Sequence, residues 1–464
     1  MMRKRLKPTK NYDRILTFFH LVAILLLFGS CKKYLDAKPE KSIQIPKTIA
    51  DLQALLDYAD DMNNISAPAL EVCSDDYYLP DNVWNSLTSV SRKNLYIWER
   101  DVFNDNITPG EWASTYIPVY KANVVLEGLE KLERIPSNAS EYDQIRGSAL
   151  LYRSRSFFEA LQVWALPYDH NSATNTLGIP LRLGSDFNEV SVRSSIRQCY
   201  DQVIADLKMA ATLLPVTPQH VMRPSRPAAF GLLARTYLVM QDYENAGRYA
   251  DSCLQLKNTL IDYNVLNSTS AFPLPRFNAE IVFSTAIIPQ TNSVNGRIDS
   301  TLYRSYSEND LRKKLYFKAF TAATGGGFGF KGSYYAANNL FNGIATDEML
   351  LIRAESKARK GSRAEALEDL NALLVKRYAT GKFVPYTITN TADVLGLILT
   401  ERRKELLFRG LRWADLKRLN KESRFRITLK RNLNGNIFEL LPGDRRYALA
   451  IPNSVIELSG IPQN

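Results

Sequence analysis

Apolar side chains recur three and four positions apart in four long stretches, Trp112 to Leu132, Tyr142 to Trp164, Ile196 to Leu214 and Ala228 to Leu256, with helix-forming residues between them. That period gathers the apolar residues on one face of an α-helix, so the chain is expected to be mainly α. Tyr168 to Ser191, Thr259 to Ser300 and Tyr378 to Asn390 are instead rich in Pro, Gly, Asn and Thr and read as loops with short strands. Together these patterns predict a helical body that carries a loop-rich lobe.

Two helical segments carry a repeat. In ARTYLVMQDYENAGRYADSCL the residues Ala234, Tyr237, Tyr243, Ala246 and Ala250 stand at tetratricopeptide positions, and in LIRAESKARKGSRAEALEDLNALL so do Ala354, Ala366 and Leu370. A small residue twelve positions before another lets the two helices of a hairpin approach closely, Ala234 facing Ala246 and Ala354 facing Ala366 across turns at Gln241-Asp242 and Lys360-Gly361. The second segment has Lys357 and Arg363 where the first has Tyr237 and Tyr243. Each hairpin is amphipathic and needs a neighbour over its apolar face, which is how an α-α superhelix grows.

The start of the chain reads differently. Six basic residues, from Arg3 to Arg14, precede an apolar run from Ile15 to Phe28, then Gly29, Ser30 and Cys31. The run is too short to cross a bilayer as a helix and has the layout of a signal peptide ending in small residues. Residues 1–30 are therefore expected to be a lipoprotein leader, with Cys31 the lipidated N-terminus; more than one acyl chain gives stable anchoring. With the leader set aside, the excess of basic over acidic side chains falls from 11 to 6. Without a concentrated basic stripe, this argues against a nucleic-acid partner.

Familiar catalytic parts are missing. Beyond the leader stand two histidines, His170 and His220, with no HExxH helix and no GxSxG elbow. Cys73, Cys199 and Cys253 lack metal-ligand spacing, so no metal site and no cofactor is expected. Their odd number also rules out a disulfide framework. Gly327, Gly329 and Gly332 satisfy GxGxxG only formally, because no strand leads in and no helix clearly follows. Asp75 and Asp76, followed by Tyr77 and Tyr78 with Asp81 and Trp84 nearby, mix acids with aromatics. This segment reads either as a sugar-binding loop or as a solvated acidic turn with its rings packed inward.

Thr400 to Leu419, TERRKELLFRGLRWADLKRL, resembles the signature helix pair of the RagB/SusD family, with Glu401, Arg402, Glu405, Leu406, Phe408, Gly410, Asp415 and Arg418 at matching places and Arg409 where the family often has an acid. From the residues alone, Gly410 is expected to end the first helix and Trp413 to begin the second. Glu401, Glu405, Arg412 and Arg418 would then pair across the corner as a structural network. The resemblance continues in CKKYLDAKP, KSIQIPKTIADLQALLDYA, EWASTYIPVYKANVVLEGL, RSRSFFEALQVW, RPSRPAAFGLLARTYL and ALAIPNSVIELSGIPQN, covering the mature chain. It implies a tetratricopeptide-like superhelix with a loop-rich lobe, comprising an N-terminal region of roughly residues 40–215 and a C-terminal region of 216–464.

The resemblance also implies a function: a surface lipoprotein of the outer membrane that binds an oligomeric nutrient, often a glycan, as the lid of a SusC-like TonB-dependent transporter, without being an enzyme. A lipid-anchored polysaccharide hydrolase and a tetratricopeptide scaffold of the outer membrane are the alternatives. Sugar C–H faces pack on aromatic rings, so Tyr77, Tyr78 and Trp84 from the early loop, with Tyr334 and Tyr335 after the glycine-rich loop, are the expected ligand platform. Gly325 to Gly327 would give that loop its mobility. Trp98 and Trp112, within framework motifs, are assigned to the core.

Overall fold

Several helix starts along the chain are set by side-chain caps, which satisfy amide groups that the first turn leaves without partners. The computed structural model describes residues 46–103, 110–288 and 295–464; the leader and Cys31 lie outside the described residues. In α1 (Ile49–Asp57), Thr48 and Asp51 form a reciprocal capping box. Next come α2 (Ala69–Val72), α3 (Val90–Tyr96) capped by Ser89, α4 (Gly110–Glu130) and α5 (Ala139–Trp164). Ser195 and Gln198 box the start of α6 (Ile196–Leu213), Ser225 with Pro227 starts α7 (Arg226–Val239), and Asp242 caps α8 (Tyr243–Leu256). The C-terminal half adds α9 (Thr346–Arg359), α10 (Arg363–Leu374), α11 (Val394–Glu405) and α12 (Arg412–Leu419).

From α4 to α10 each helix packs on the next, and α11 returns to pack on α9. This is the stacked-hairpin plan of an α-α superhelix. The long apolar stretch from Ala228 to Leu256 is divided by a reversal at Gln241, which adopts φ 62°. Its amide Nε2 donates to the Arg418 carbonyl at 3.1 Å, which ties the turn to α12. Ala234, Ala246, Ala250, Ala354 and Ala366 are all fully buried. The approach of α8 to α9 is so close that a Cβ on Gly247 would stand 2.8 Å from Ser356 Cβ.

Short antiparallel ladders build the lobe. Ile281–Phe283 pairs with Ile344–Ala345, Ala286–Ile287 with Leu340–Phe341, and Phe317–Ala319 with Phe328–Phe330. Two contacts stitch the early segment into it: Tyr77–Tyr78 pairs with Arg297–Ile298, and Ser66 bridges Ile287. Leu177–Pro180 pairs with Arg193–Ser195, and Leu429–Leu433 with Asn436–Leu440. Tyr378 to Asn390, expected to hold a short strand, contributes only an isolated bridge from Tyr378 to Asp310 among the described residues.

Ala246→Leu adds a branched side chain at a fully buried position of α8, which packs on α7 and α9, and is expected to cost about 1–3 kcal/mol. A denaturant melt unchanged from wild type would contradict this packing.

Candidate functional site

The most charged motif of the chain is a frame. Helix α11 stops at Glu405, five residues before Gly410, so the glycine does not terminate it as expected. The turn contains two left-handed residues, Phe408 (φ 58°) and Gly410 (φ 66°). Gly410 is needed for close approach: a Cβ there would stand 2.7 Å from Ile287 Cδ1, and its N–H donates to Glu71 Oε2 at 3.0 Å.

The four charges expected to pair with one another instead reach outward. Glu401 accepts from Arg312 at 2.6 Å and from Lys404 at 2.7 Å, and Glu405 accepts from Arg312 at 2.9 Å and from Arg377 at 2.7 Å. Arg412 binds Asp75 at 2.7 Å, and Arg418 binds Glu355 at 2.6 Å and Asp415 at 2.8 Å. Arg409, the departure from the family pattern, donates to Asp347 at 2.6 Å. The structural role expected for this helix pair is present, with different partners.

Carboxylate oxygens of Glu280, Asp347 and Glu405 converge to within 4.8 Å. Guanidinium groups already balance them: Arg377 donates to Glu280 and Glu405, and Arg409 to Asp347. Burial pushes Glu280 up to about 7 against the opposing pull of Arg377. The Tyr334 hydroxyl donates into this cluster, 2.8 Å from Glu280 Oε2, and the residue is 1 % exposed.

Three of the five expected platform rings are therefore core residues. Tyr334 is locked in the ion cluster, while Tyr77, also 1 % exposed, packs between Tyr96 and Phe408. Trp84 is buried against Tyr96 at 5.7 Å. Covering a large ring gains more than leaving it in water. Tyr78 is 40 % exposed. Tyr335 is half-buried, with the Arg276 guanidinium 4.3 Å above its ring and bonded to its hydroxyl at 3.0 Å.

Asp75 and Asp76 are not a solvated turn, since arginines hold both. Against the effect of burial, Arg412 and Arg403 hold the Asp75 carboxyl well below the ordinary range, and Arg403 donates to Asp76 at 2.9 Å. The early and glycine-rich loops do meet, because the Tyr78 hydroxyl lies 3.4 Å from where Gly327 would carry a Cβ. Arg297 clamps that turn by donating to the carbonyls of Gly326 at 2.7 Å and Thr324 at 2.6 Å. Gly325, Gly326 and Gly327 all have positive φ, a backbone conformation that favours glycine.

A cavity of about 560 Å³ opens between α2, α3 and the start of α4, larger than the clefts of about 270 and 220 Å³ elsewhere. Its lining mixes apolar residues, Ile65, Pro68, Val72, Leu95, Phe103 and Ile288, with polar ones, Thr88, Ser89, Ser91, Arg92, Glu111 and Ser114. Glu111 Oε2 accepts from Ala69 N–H at 3.2 Å. Burial pushes its carboxyl up to about 7, opposed by that hydrogen bond and by Arg92. The expected platform omitted these residues. The hydroxyl-rich run Ser86 to Ser91 was a visible signal, whereas Glu111 sits in a motif that reads as framework.

Fold and cavity define a tetratricopeptide-like α-α superhelix with an amphipathic ligand-sized hollow. Residues 33–238 match the SusD-like family model described as starch-binding and associating with the outer membrane, and residues 275–438 match the SusD family model. The chain belongs to the SusD/RagB family. It is 23 % identical to the SusD-like protein P38 of Formosa agariphila, over 90 % of this chain and 93 % of that protein. Among solved structures, a SusD superfamily protein of Bacteroides thetaiotaomicron superposes with a TM-score of 0.70 at 22 % identity, covering 90 % of this chain and 99 % of that one. A laminarin-binding SusD-like protein gives a TM-score of 0.64 at 18 % identity, covering 89 % and 98 %.

Glu71 supplies a pH test of the corner. Fully buried, it accepts from Ser74 Oγ and Gly410 N–H and, among the described residues, meets no cation within ion-pair distance. Burial and Asp76 raise its carboxyl from 4.5 to about 8. Because the folded value is the higher one, the stability contributed by this proton is fully present below the unfolded value and is lost as pH rises through the folded one. Wild type is expected to lose melting temperature between about pH 4.5 and about pH 8, with Glu71→Gln losing distinctly less. Parallel pH profiles for the two proteins would contradict the assignment.

Proposed function

We propose that this protein captures an oligosaccharide in the cavity bounded by α2, α3 and α4 and holds it for a SusC-like TonB-dependent outer-membrane transporter, over which it closes as a lid. The mixed apolar and polar lining carries the reading. A sugar ring presents apolar C–H faces and hydroxyl edges, and the cavity offers both kinds of partner, Leu95, Phe103 and Ile288 together with Thr88, Ser91, Ser114 and Glu111. Sites of this size lined by apolar groups with a few convergent polar ones are typical of small-ligand binding. The laminarin-binding relative supports a glycan as the nutrient. Tyr78 and Tyr335, which keep accessible surface, are secondary contacts for a longer chain.

Binding without turnover fits this wall. Glycoside hydrolysis ordinarily uses two carboxyl groups flanking the bond, and among the described lining residues Glu111 is the single carboxylate. The leader and Cys31 support a lipid anchor in the outer membrane, and the outward orientation rests on the resemblance to surface lipoproteins of the family.

Thr88 is exposed at the cavity, so Thr88→Trp fills the space without disturbing the core. Binding on a glycan array and by calorimetry is expected to weaken at least about tenfold at unchanged melting temperature, as when a ligand is denied its preformed pocket. Undiminished binding would move the site elsewhere. Cys31→Ala is expected to release the protein from the membrane fraction, and an intact mass with unmodified Cys31 would exclude the anchor.

A further inference from the structure

We propose that Glu111 makes this cavity a charge filter, which admits saccharides edged by hydroxyl or protonated amino groups and excludes those bearing carboxylate or sulfate. The inference rests on the cavity being the glycan site. Several other buried acids are neutralised at close range, Glu159 by Arg155, Asp206 by Arg153 and Glu348 by Arg235, and Glu71, which meets no cation among the described residues, has each oxygen hydrogen-bonded, to Ser74 Oγ and to Gly410 N–H. Glu111 has no such cation within ion-pair distance among the described residues. It accepts one N–H, from Ala69, although a carboxylate has room for about four. Its remaining acceptor sites are open to hydroxyl or ammonium donors of a ligand in the cavity that it lines.

The surrounding charges favour this role. Glu111 lies in the first turn of the long helix α4, where unpaired backbone N–H groups favour an anion. Arg92 on α3 is the cation of the same lining and has a partner of its own. On the other side Cys73 is a neutral thiol, pushed far up by burial and by Glu111 itself. A second anion entering the cavity would thus meet a partly desolvated carboxylate, and like charges brought together in such surroundings oppose binding. Because burial raises the Glu111 carboxyl to about 7, the filter weakens on acidification.

The test presents the full-length lipoprotein in detergent to an array of neutral β-glucan oligosaccharides, chitosan oligosaccharides, uronate oligosaccharides and sulfated oligosaccharides. Wild type at about pH 8 is expected to prefer the neutral or amino class over the acidic one by about tenfold or more, with the gap narrowing toward about pH 5.5. Glu111→Gln is expected to bring that ratio near one and remove its pH dependence, whereas Glu111→Asp, which keeps the charge, retains both. Wild type binding acidic and neutral classes equally would overturn the filter. So would an unchanged ratio in Glu111→Gln while Thr88→Trp abolishes binding, an outcome that leaves the glycan site standing. Binding that survives Thr88→Trp, or no glycan bound by wild type, would overturn the site and the filter together.

Discussion

Four buried guanidinium groups, Arg312, Arg377, Arg409 and Arg418, must each meet carboxylates, and that requirement organises the rest of the structure. Arg312, Arg377 and Arg418 are at most 1 % exposed and Arg409 is 5 % exposed. Leaving any one without its partner would place an uncompensated charge in the interior, at a cost of about 3–5 kcal/mol. Their partners come from distant parts of the chain: Glu280 and Asp310 in or beside the lobe, Asp347 and Glu355 on α9, and Glu401, Glu405 and Asp415 at the corner between α11 and α12. Satisfying all of them fixes where the helical body, the corner and the lobe stand with respect to one another. Such a lattice gives specificity of arrangement more readily than net stability.

The cavity inherits its shape from that corner. Gly410 reaches Glu71 and thereby pins α2, which supplies Pro68 and Val72 to the lining and the Ala69 N–H to Glu111. Arg412 and Arg403 hold Asp75 and Asp76 directly after α2, so the chain leaves toward the Tyr77–Tyr78 ladder in a set direction. A motif with no chemistry of its own thus positions the residues that could have some. The rings follow the same logic: those nearest the corner are drawn into the core, and Tyr78, on the outer face of its two-residue strand, is left accessible.

Much of the architecture was legible in the sequence because helix formation is local. The period of apolar residues marked the helices, and the alanine spacing marked the hairpins. The corner's charges could be recognised as structural, since both acids are flanked by arginines. The candidate site was read less well: Tyr77, Trp84 and Tyr334 look as suitable for a sugar as Tyr78, and only burial separates them.

The sequence by itself determined the helical class, the hairpin repeat, the leader-like start and the kinds of chemistry that lack their parts, all properties set by residues within a few turns of one another. Tertiary structure decided which carboxylate each arginine meets, which rings see solvent and where the cavity opens. Arg412 and Asp75, or Arg377 and Glu280, are neighbours only after the chain has folded. An ion pair or a cavity depends on distance through space, which the spacing of residues along the chain does not carry.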